Sequence, residues 1–254
     1  MTVRASGKLI LALLLAAAIL PLPRASAQIF NDVQSELRVA WLQMKRDMPQ
    51  FPNESVQRYA QCIAWAIIDV VPEEYQNLNW EIIVFDNDAK NASVTPEGKI
   101  AVFSGLLQVA NTPDELAAVI GHEVAHLTQG HVRDRVLRAA GTGLLGVLGG
   151  AATGFGQESQ TTASVMFQLP YQRKQENDAD LAGMALMAKA GYNPAAVLQL
   201  WRDMTEGEDN RGSNWLTTHP NPRDRMEVMA RNLSPSLQAY NAALDAGVRP
   251  RCRL

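Results

Sequence analysis

The chain of 254 residues is long enough for one sizeable domain with its own hydrophobic core. Hydrophobic residues make up 47% and charged residues 19%, which is the composition of a globular protein rather than of a disordered chain. The formal net charge is −3 and the Lys and Arg residues are scattered, so nothing indicates a nucleic-acid partner.

The N-terminus carries the pattern of a secretory signal peptide. Two basic residues precede an unbroken apolar run over residues 9–20, which is short for a membrane span. Ala25-Ser26-Ala27 then offers a small-x-small cleavage site. We predict a signal peptide over 1–27, a single domain over 28–254 and export to an oxidising compartment. The alternative is an uncleaved membrane anchor.

Two helices are predicted next, over residues 32–50 and 53–70, because their apolar residues recur at helical spacing. The second helix contains Cys62, and Cys252 is the other of the two cysteines. One disulfide between them would tie the C-terminal tail to an early helix. The alternative is that Cys62 is a small buried apolar residue and Cys252 is free.

Two short strands are predicted after these helices. Residues 80–85 are β-branched and aromatic, and turn-forming residues bound them on both sides. Residues 99–103 form a second strand after the turn sequence Pro96-Glu97-Gly98. We therefore expect a small β-sheet between helical segments.

The next helix has a well-defined start. Thr112 can cap it, Pro113 suits the first helical position, and Glu115 completes a capping box. Apolar residues at helical spacing carry the helix to about Gln129, and Gly130 is expected to end or kink it.

Residues 140–156 are apolar and contain six glycines. Glycine is costly in an exposed helix, so we predict a mobile loop or a buried helical hairpin over the site. Peripheral membrane contact through this segment stays open. Three further helices are predicted, over residues 171–190, from Pro194 through Trp201, and from Pro222 toward Asn232. A polar loop is predicted over residues 207–214.

The main chemical signal is His122-Glu123-Val124-Ala125-His126. Residues four apart on a helix differ by about 40° of rotation, so both imidazoles leave the same face and can bind one zinc ion. Glu123 lies beside them, where it can act as a general base toward the attacking water. The alternative is a solvated helix with two unrelated histidines.

A catalytic zinc site also needs a third protein ligand and an open position. His131 lies nine residues after His122 and would point to the other face of a continuous helix, which favours a carboxylate instead. Glu176 and Asp180 share one face of a predicted helix. Glu176 can bind zinc, while Asp180 can accept a hydrogen bond from a ligand histidine. By spacing alone, a solvated acidic surface is the alternative.

The histidine motif, followed by Arg173-Lys174-Gln175-Glu176-Asn177-Asp178-Ala179-Asp180, resembles the M48 family of zinc metallopeptidases. Two outer motifs agree with the family. They are Asn91-Ala92 before a strand that ends in Val102-Phe103-Ser104-Gly105, and Thr218-His219-Pro220 with Arg225 six residues after the histidine. The resemblance spans about residues 80–232 and is closest to the soluble, periplasmic quality-control members of bacteria.

This resemblance implies a mostly helical α+β, zincin-like fold with a small β-sheet, and one zinc ion per chain. It implies Glu176 as the third ligand, as in glutamate-class zincins, with Asp180 as its neighbour outside the ligand set. His219 is expected at the site, either stabilising the oxyanion or occupying the open zinc position. Arg225 is expected to be a positioning salt-bridge residue, although the sequence alone leaves it as a surface charge. His131 is interpreted as structural.

The predicted function is a zinc-dependent endopeptidase that acts on unfolded or misfolded polypeptides in the cell envelope, with the periplasm as its location. The strand residues Ile100, Ala101, Val102 and Phe103 are predicted to hold the substrate extended by β-pairing, which gives broad specificity. One alternative is a zinc-bearing chaperone or assembly factor without proteolysis. A small-molecule metallohydrolase is a third hypothesis, which the lack of further His or Asp ligand clusters disfavours.

Overall fold

The protein is described by a computed structural model that covers residues 22–141, 170–206, 214–220 and 222–254. Within these ranges, helices surround a sheet of three short strands. The mostly helical α+β fold with a small sheet, which the sequence predicts, is confirmed.

The described elements are numbered here in chain order. The helices are α1 (Leu22–Asp47), α2 (Glu54–Ile68), α3 (Glu73–Gln76), α4 (Pro113–Thr128), α5 (His131–Gly141), α6 (Arg173–Lys189), α7 (Ala196–Glu206), α8 (Asn214–Thr218), α9 (Pro222–Arg231) and α10 (Leu233–Asp245). The strands are β1 (Glu81–Phe85), β2 (Ala92–Val94) and β3 (Lys99–Phe103), and a short 3₁₀ helix (Ser104–Gln108) follows β3.

Most predicted elements are present with small shifts at their ends. The largest shift is in α1, which begins at Leu22 rather than at residue 32. Four larger or functionally placed elements were not predicted, namely β2, α5, α8 and α10. Strand β2 has only three residues, which is too short for an alternating pattern to show in the sequence.

The strand order in the sheet is β1-β3-β2. Strand β3 pairs with β1 in parallel and with β2 in antiparallel orientation. The prediction that Ile100, Ala101, Val102 and Phe103 bind an extended substrate is therefore wrong, since both edges of β3 already pair within the sheet. The sequence indicated where the strands are, but it did not indicate their order.

Both faces of the sheet are covered. Side chains on one face join the main core with α2 and α4, and these include Ile82, Val84, Ile100 and Val102. Side chains on the other face pack under α1, where Ile83, Phe85, Ala101 and Phe103 meet Trp41 and Met44. This alternation follows the two-residue period of a strand and explains why every residue of β3 is buried.

The outer edge of β1 is closed by two glutamines of α2. Gln57 accepts a hydrogen bond from the Val84 N–H at 2.9 Å and donates one to the Val84 carbonyl at 2.7 Å. Gln61 donates to the Ile82 carbonyl at 3.2 Å. These amides satisfy edge groups that would otherwise pair with another strand.

Helices α4 and α6 meet at two glycines, Gly121 and Gly183. A Cβ atom at Gly183 would lie 2.9 Å from the backbone nitrogen of His122, and one at Gly121 would lie 3.0 Å from the Gly183 carbonyl oxygen. A side chain larger than hydrogen would therefore press against backbone at this crossing. The two glycines bring the backbones of the helices that carry the predicted ligands into contact.

The C-terminal tail is fixed to α2 by a disulfide between Cys62 and Cys252, which are 190 residues apart in sequence. Cys252 is buried, and the Tyr192 hydroxyl donates to its sulfur at 3.3 Å. The predicted disulfide is therefore present in the structure, and the alternative of a free Cys252 is wrong.

Several predictions fall outside the described residues. These are residues 1–21 of the predicted signal peptide, 142–156 of the glycine-rich segment and 207–213 of the predicted polar loop. The signal peptide and the single domain over 28–254 therefore stay predictions. In the part of the chain that the structure describes, no helix is both long and apolar enough to cross a bilayer.

Candidate active site

Helix α4 carries the histidine motif and begins as its capping box predicts. The Thr112 hydroxyl accepts from the Glu115 N–H at 3.2 Å, and the Glu115 carboxylate accepts from the Thr112 N–H at 2.9 Å. Every residue of α4 from Glu115 to Leu127 is buried, because the sheet and other helices cover α4 on all sides. The helix thus holds His122, Glu123 and His126 inside the protein.

Four side chains form a compact, buried cluster, namely His122, His126, Glu176 and His219. One ligand atom from each lies within 4.8 Å of those of the others. The Nε2 atoms of His122 and His126 are 3.0 Å apart, and a Glu176 oxygen lies 3.3 Å from His126 Nε2. His219 Nδ1 lies 3.1 Å from Glu176 Oε1 and 3.2 Å from His122 Nε2.

A second layer of contacts orients the two histidines of α4. His122 Nδ1 lies 2.9 Å from Asp180 Oδ1, so its Nδ1–H donates to the carboxylate and its Nε2 lone pair faces the cluster. His126 Nδ1 lies 3.1 Å from His131 Nδ1 on the other side. Both imidazoles therefore present Nε2 to the same space.

Arg225 of α9 is the buried cation of this network. Its Nε donates to Asp180 at 2.7 Å and its Nη2 donates to the other oxygen at 2.6 Å, which is a bidentate pair. Its Nη1 forms an ion pair with Glu176, and its guanidinium lies 4.1 Å from the centre of the Trp201 ring. Only 1% of Arg225 is exposed, so the interpretation of a surface charge is excluded.

Glu123 lies beside the cluster and is 1% exposed. It accepts a hydrogen bond from the Val94 backbone, while among the described residues its Oε1 has no hydrogen-bond partner. His219 Nε2 is 3.4 Å from that oxygen, which is ion-pair distance without hydrogen-bond geometry. Burial raises the pKa of Glu123 to about 8, and the charges of Arg135 and Arg225 oppose this rise.

The other groups of the site are held in the states that metal binding requires. Burial lowers the pKa of His126 and of His219, which favours the neutral imidazole that can bind a metal ion. Burial alone would raise the pKa of Asp180, but the charge and hydrogen bonds of Arg225 outweigh it and hold that pKa at about 2. The carboxylate therefore stays ionised next to His122.

The donor set fits a zinc ion. Imidazole nitrogens and one carboxylate are typical zinc ligands, and a catalytic site uses three of them and leaves a further position open. The cluster offers two oriented Nε2 atoms and the Glu176 carboxylate in one buried space, with His219 as a fourth donor. The pairing of Asp180 with His122 is the contact that commonly fixes a zinc-binding histidine.

The sequence model described as peptidase family M48 matches residues 52–232, which is more than half of the chain. The chain belongs to peptidase family M48. Metallopeptidases of this family use zinc, and the four-residue cluster can hold one ion.

Relatives of this M48 chain include the mitochondrial metalloendopeptidase OMA1 of Schizosaccharomyces pombe, 30% identical over 215 residues, or 80% of this chain and 63% of that protein. Human OMA1 is 30% identical over 176 residues, covering 63% of this chain and 34% of that protein. The metalloprotease LoiP of Escherichia coli is 30% identical over 149 residues, covering 57% and 59%. The chain thus spans less than two thirds of each of these relatives.

The M48 chain departs from the sequence-based expectation at His131. Gly130 adopts a φ of +75°, which ends α4, and α5 restarts at His131 in a new direction. His131 therefore does not point to the far face of one continuous helix but turns back onto His126. It lies outside the four-residue cluster and contacts one of its members.

The edge strand beside the active-site helix is β2 and not β3. Phe103 N–H donates to the Asn91 carbonyl and Thr95 N–H donates to the Lys99 carbonyl, so the alternate residues Ala92 and Val94 direct their main-chain groups away from β3. No described strand pairs with this outer edge. On this edge the Ala92 N–H donates to Asn91 Oδ1 at 2.9 Å and the Val94 N–H donates to Glu123, which places the outer edge of β2 at that carboxylate.

Two aromatic residues of the site were missed in the sequence. Tyr171 stacks on His126 with ring centres 3.6 Å apart, and Trp215 stacks on His219 at 4.1 Å. The position of Trp215 four residues before His219, on a short helix, was a signal that the sequence contained. Tyr171 is the first residue of the helical pattern predicted over 171–190 and directly precedes the cap of α6, and nothing in the sequence marked it as a site residue.

Proposed function

We propose that this M48 chain is a zinc-dependent endopeptidase of the glutamate class, which hydrolyses unfolded or misfolded polypeptides in the cell envelope. The observation that carries the proposal is a buried carboxylate, Glu123, with a free oxygen beside the ligand cluster. A protein that only binds chains gains nothing from such a group, since an unsatisfied buried carboxylate costs stability.

His122, His126 and Glu176 would hold the zinc ion, because each directs a donor atom into the cluster from a rigid helix. Bound zinc supplies a Lewis acid that polarises the scissile carbonyl and makes water a better nucleophile. Asp180 and Arg225 keep the ligands oriented, and Arg225 also offsets the charge of Glu176.

Glu123 would act as the general base. The Val94 N–H holds the carboxylate in place, and its free Oε1 takes a proton from the attacking water. The same carboxyl group then delivers that proton to the nitrogen of the leaving amine. Its raised pKa suits both steps, because a group that titrates near neutral pH can accept and release a proton readily.

The substrate would pair with the outer edge of β2. The carbonyl groups of Ala92 and Val94 face this edge, whereas the Ala92 N–H donates to the Asn91 side chain and the Val94 N–H donates to Glu123. A chain added there in extended conformation would pass its peptide bonds in front of the catalytic carboxylate. Main-chain pairing reads few side chains, which supports a substrate class of unfolded polypeptides rather than one defined sequence.

His219 has two candidate roles, stabilising the oxyanion or occupying the fourth ligand position at rest. Its Nδ1 lies within 3.2 Å of His122 Nε2 and of both Glu176 oxygens, which favours the ligand position. A His219→Ala variant that cleaves casein faster than the wild type would support this assignment. A loss of activity with unchanged zinc content would support the oxyanion role instead.

The decisive experiment compares casein cleavage by the zinc-loaded chain with that by a Glu123→Gln variant. We expect cleavage by the wild type, and a loss of at least about a hundredfold in the variant, which keeps its zinc. Equal rates would mean that Glu123 is not the base. Zinc bound without cleavage in either protein would favour the alternative of a chaperone or assembly factor.

The cell-envelope location rests on the predicted signal peptide, and the printed names of the relatives do not decide it, because OMA1 is named as mitochondrial. We propose that the exported chain begins at Gln28 and acts in the periplasm. Terminal sequencing of the protein from its native host tests this, and a chain that retains residues 1–27 would contradict cleavage.

A further inference from the structure

Arg135 is a buried arginine that the mechanism above does not use. It lies on α5, is 4% exposed, and places its guanidinium carbon 4.0 Å from the centre of the Tyr171 ring. Its Nε is buried without a hydrogen-bond partner, and within the described ranges no carboxylate forms an ion pair with it. A buried charge without a partner is costly, so its presence calls for a functional explanation.

The surroundings of Arg135 place it beside the ligand cluster. Tyr171 contacts both Arg135 and His126, so one aromatic ring connects the guanidinium to the ligand cluster. The guanidinium lies 4.0 Å from the centre of the Tyr171 ring, whose centre is 3.6 Å from that of His126. Arg135 is therefore one side chain away from the cluster at which a substrate would bind.

Two further polar atoms near Arg135 also lack partners. The Tyr171 hydroxyl and Glu123 Oε1 are buried, and no described residue forms a hydrogen bond with either. Arg135 and Glu123 carry opposite charges in the same region, yet they do not pair with each other. Donors and an acceptor that stay apart in this way leave room for a ligand between them.

The two buried arginines of the site differ in their partners. Arg225 is paired with Glu176 and Asp180. Arg135 has no ion-pair partner among the described residues, and an anionic group of a bound molecule would compensate its charge.

We propose that Arg135 is a specificity-determining residue that binds a carboxylate of the substrate polypeptide close to the scissile bond. This inference rests on the proposed function in taking the ligand to be a polypeptide. A guanidinium matches a carboxylate with two parallel hydrogen bonds, and the Tyr171 hydroxyl is a second donor beside it. The carboxylate belongs either to an Asp or Glu side chain or to the C-terminus of the substrate.

The test measures binding, so that it does not depend on cleavage. It uses the zinc-loaded full chain with Glu123→Gln and ten fluorescent decapeptides with blocked ends, each with one Glu at a successive position. Ten counterparts carry Gln instead, and one neutral peptide keeps a free C-terminal carboxylate. We expect at least one carboxylate peptide to bind on the order of tenfold more tightly than its neutral counterpart.

Adding Arg135→Gln should remove this preference for a carboxylate. Adding Arg135→Lys should retain part of it, because lysine keeps the charge but cannot donate two parallel hydrogen bonds to one carboxylate. The matched control is Arg133→Gln, since Arg133 is an exposed arginine of the same helix that lies over the Phe30 ring. It should leave the preference unchanged. A preference confined to the peptide with a free C-terminus would identify that carboxylate as the ligand.

Three results would overturn the proposal. They are no carboxylate preference in any peptide, a preference that survives Arg135→Gln, and an equal loss of affinity for Glu and Gln peptides in that variant. Zinc content and the free energy of unfolding are measured on every variant to exclude misfolding. Failure of the endopeptidase proposal is seen separately, as a wild-type chain that does not cleave casein.

Discussion

Replacing Gly183 with alanine should destabilise the protein, although the substitution lies inside a helix. Helix propensity alone predicts the opposite, because alanine is favoured over glycine by about 1 kcal/mol. The structure predicts a larger penalty. The added Cβ would lie 2.9 Å from the His122 nitrogen and 3.0 Å from the carbonyl carbon of Gly121, closer than ordinary contacts of about 3.5–4.0 Å.

The obstacle at Gly183 is backbone, which cannot rotate away as a side chain does. Helices α4 and α6 would have to separate by roughly half an ångström or more to restore ordinary contacts. Overpacking of this kind costs about 1–3 kcal/mol. After subtraction of the propensity gain, we expect a net loss of up to about 2 kcal/mol in the free energy of unfolding.

The same displacement should weaken zinc binding. Asp180 lies on α6 within one turn of Gly183 and contacts His122 at 2.9 Å, while Glu176 lies about one turn further along the same helix. Separation of the helices lengthens both contacts with α4. Loss of such supporting contacts typically lowers metal affinity by about ten- to a hundredfold.

The assay is urea unfolding of the zinc-free protein, combined with competition for zinc against a coloured chelator. Ala185→Gly on the same helix measures the propensity effect by itself, because Ala185 is half-buried and has no glycine crossing opposite it. A Gly183→Ala protein that is stabilised by the propensity gain and keeps its zinc affinity would refute the reasoning.

Three further changes test other parts of the structure. Arg225→Met leaves the buried Asp180 and Glu176 carboxylates without their cation, so the free energy of unfolding of the zinc-free protein, measured in urea, should fall by about 3–5 kcal/mol. The control is Arg223→Met, an exposed change on α9, which should lower it by less than about 0.5 kcal/mol. Cys252→Ser removes the disulfide that spans 190 residues and should lower the free energy of unfolding by about 2–5 kcal/mol. Reduced wild type should unfold at the same urea concentration as this variant. A variant whose midpoint equals that of the oxidised wild type would contradict the prediction. Val94→Pro removes the donor to Glu123 and obstructs the outer edge of β2, so kcat/KM on casein should fall by at least about tenfold in protein that is still folded. Ser93→Pro, whose main chain faces β3, should mainly destabilise the sheet.

The active-site helix was predictable because its information is local. The capping box, the helical spacing of apolar residues and the four-residue separation of His122 and His126 all lie within one short segment. The cluster with Glu176 was less determined, since an acidic pair on one face of a helix has the same pattern on any solvated surface. Family resemblance supplied the choice, and the structure places Glu176 within 3.3 Å of His126.

The substrate strand was assigned wrongly because strand order is a long-range property. The segment 99–103 is strongly β-forming, and this pattern fits a strand buried inside the sheet equally as well as an edge strand that binds substrate. Strand β2, with three residues, gave no periodic signal, although Asn91-Ala92 was recognised as a family motif. The position of His131 was missed for a related reason, because one left-handed residue, Gly130, redirects the chain.

The two buried arginines of the site are expected to have opposite effects on stability. Arg225 has a carboxylate on each side, so its removal leaves buried negative charge and should destabilise the fold. Arg135 has no such partner among the described residues, so its removal relieves an uncompensated buried charge. Arg135→Gln should therefore leave the free energy of unfolding unchanged or raise it while impairing carboxylate binding. Stability given up at a position that contacts the substrate is the pattern of a residue retained for function.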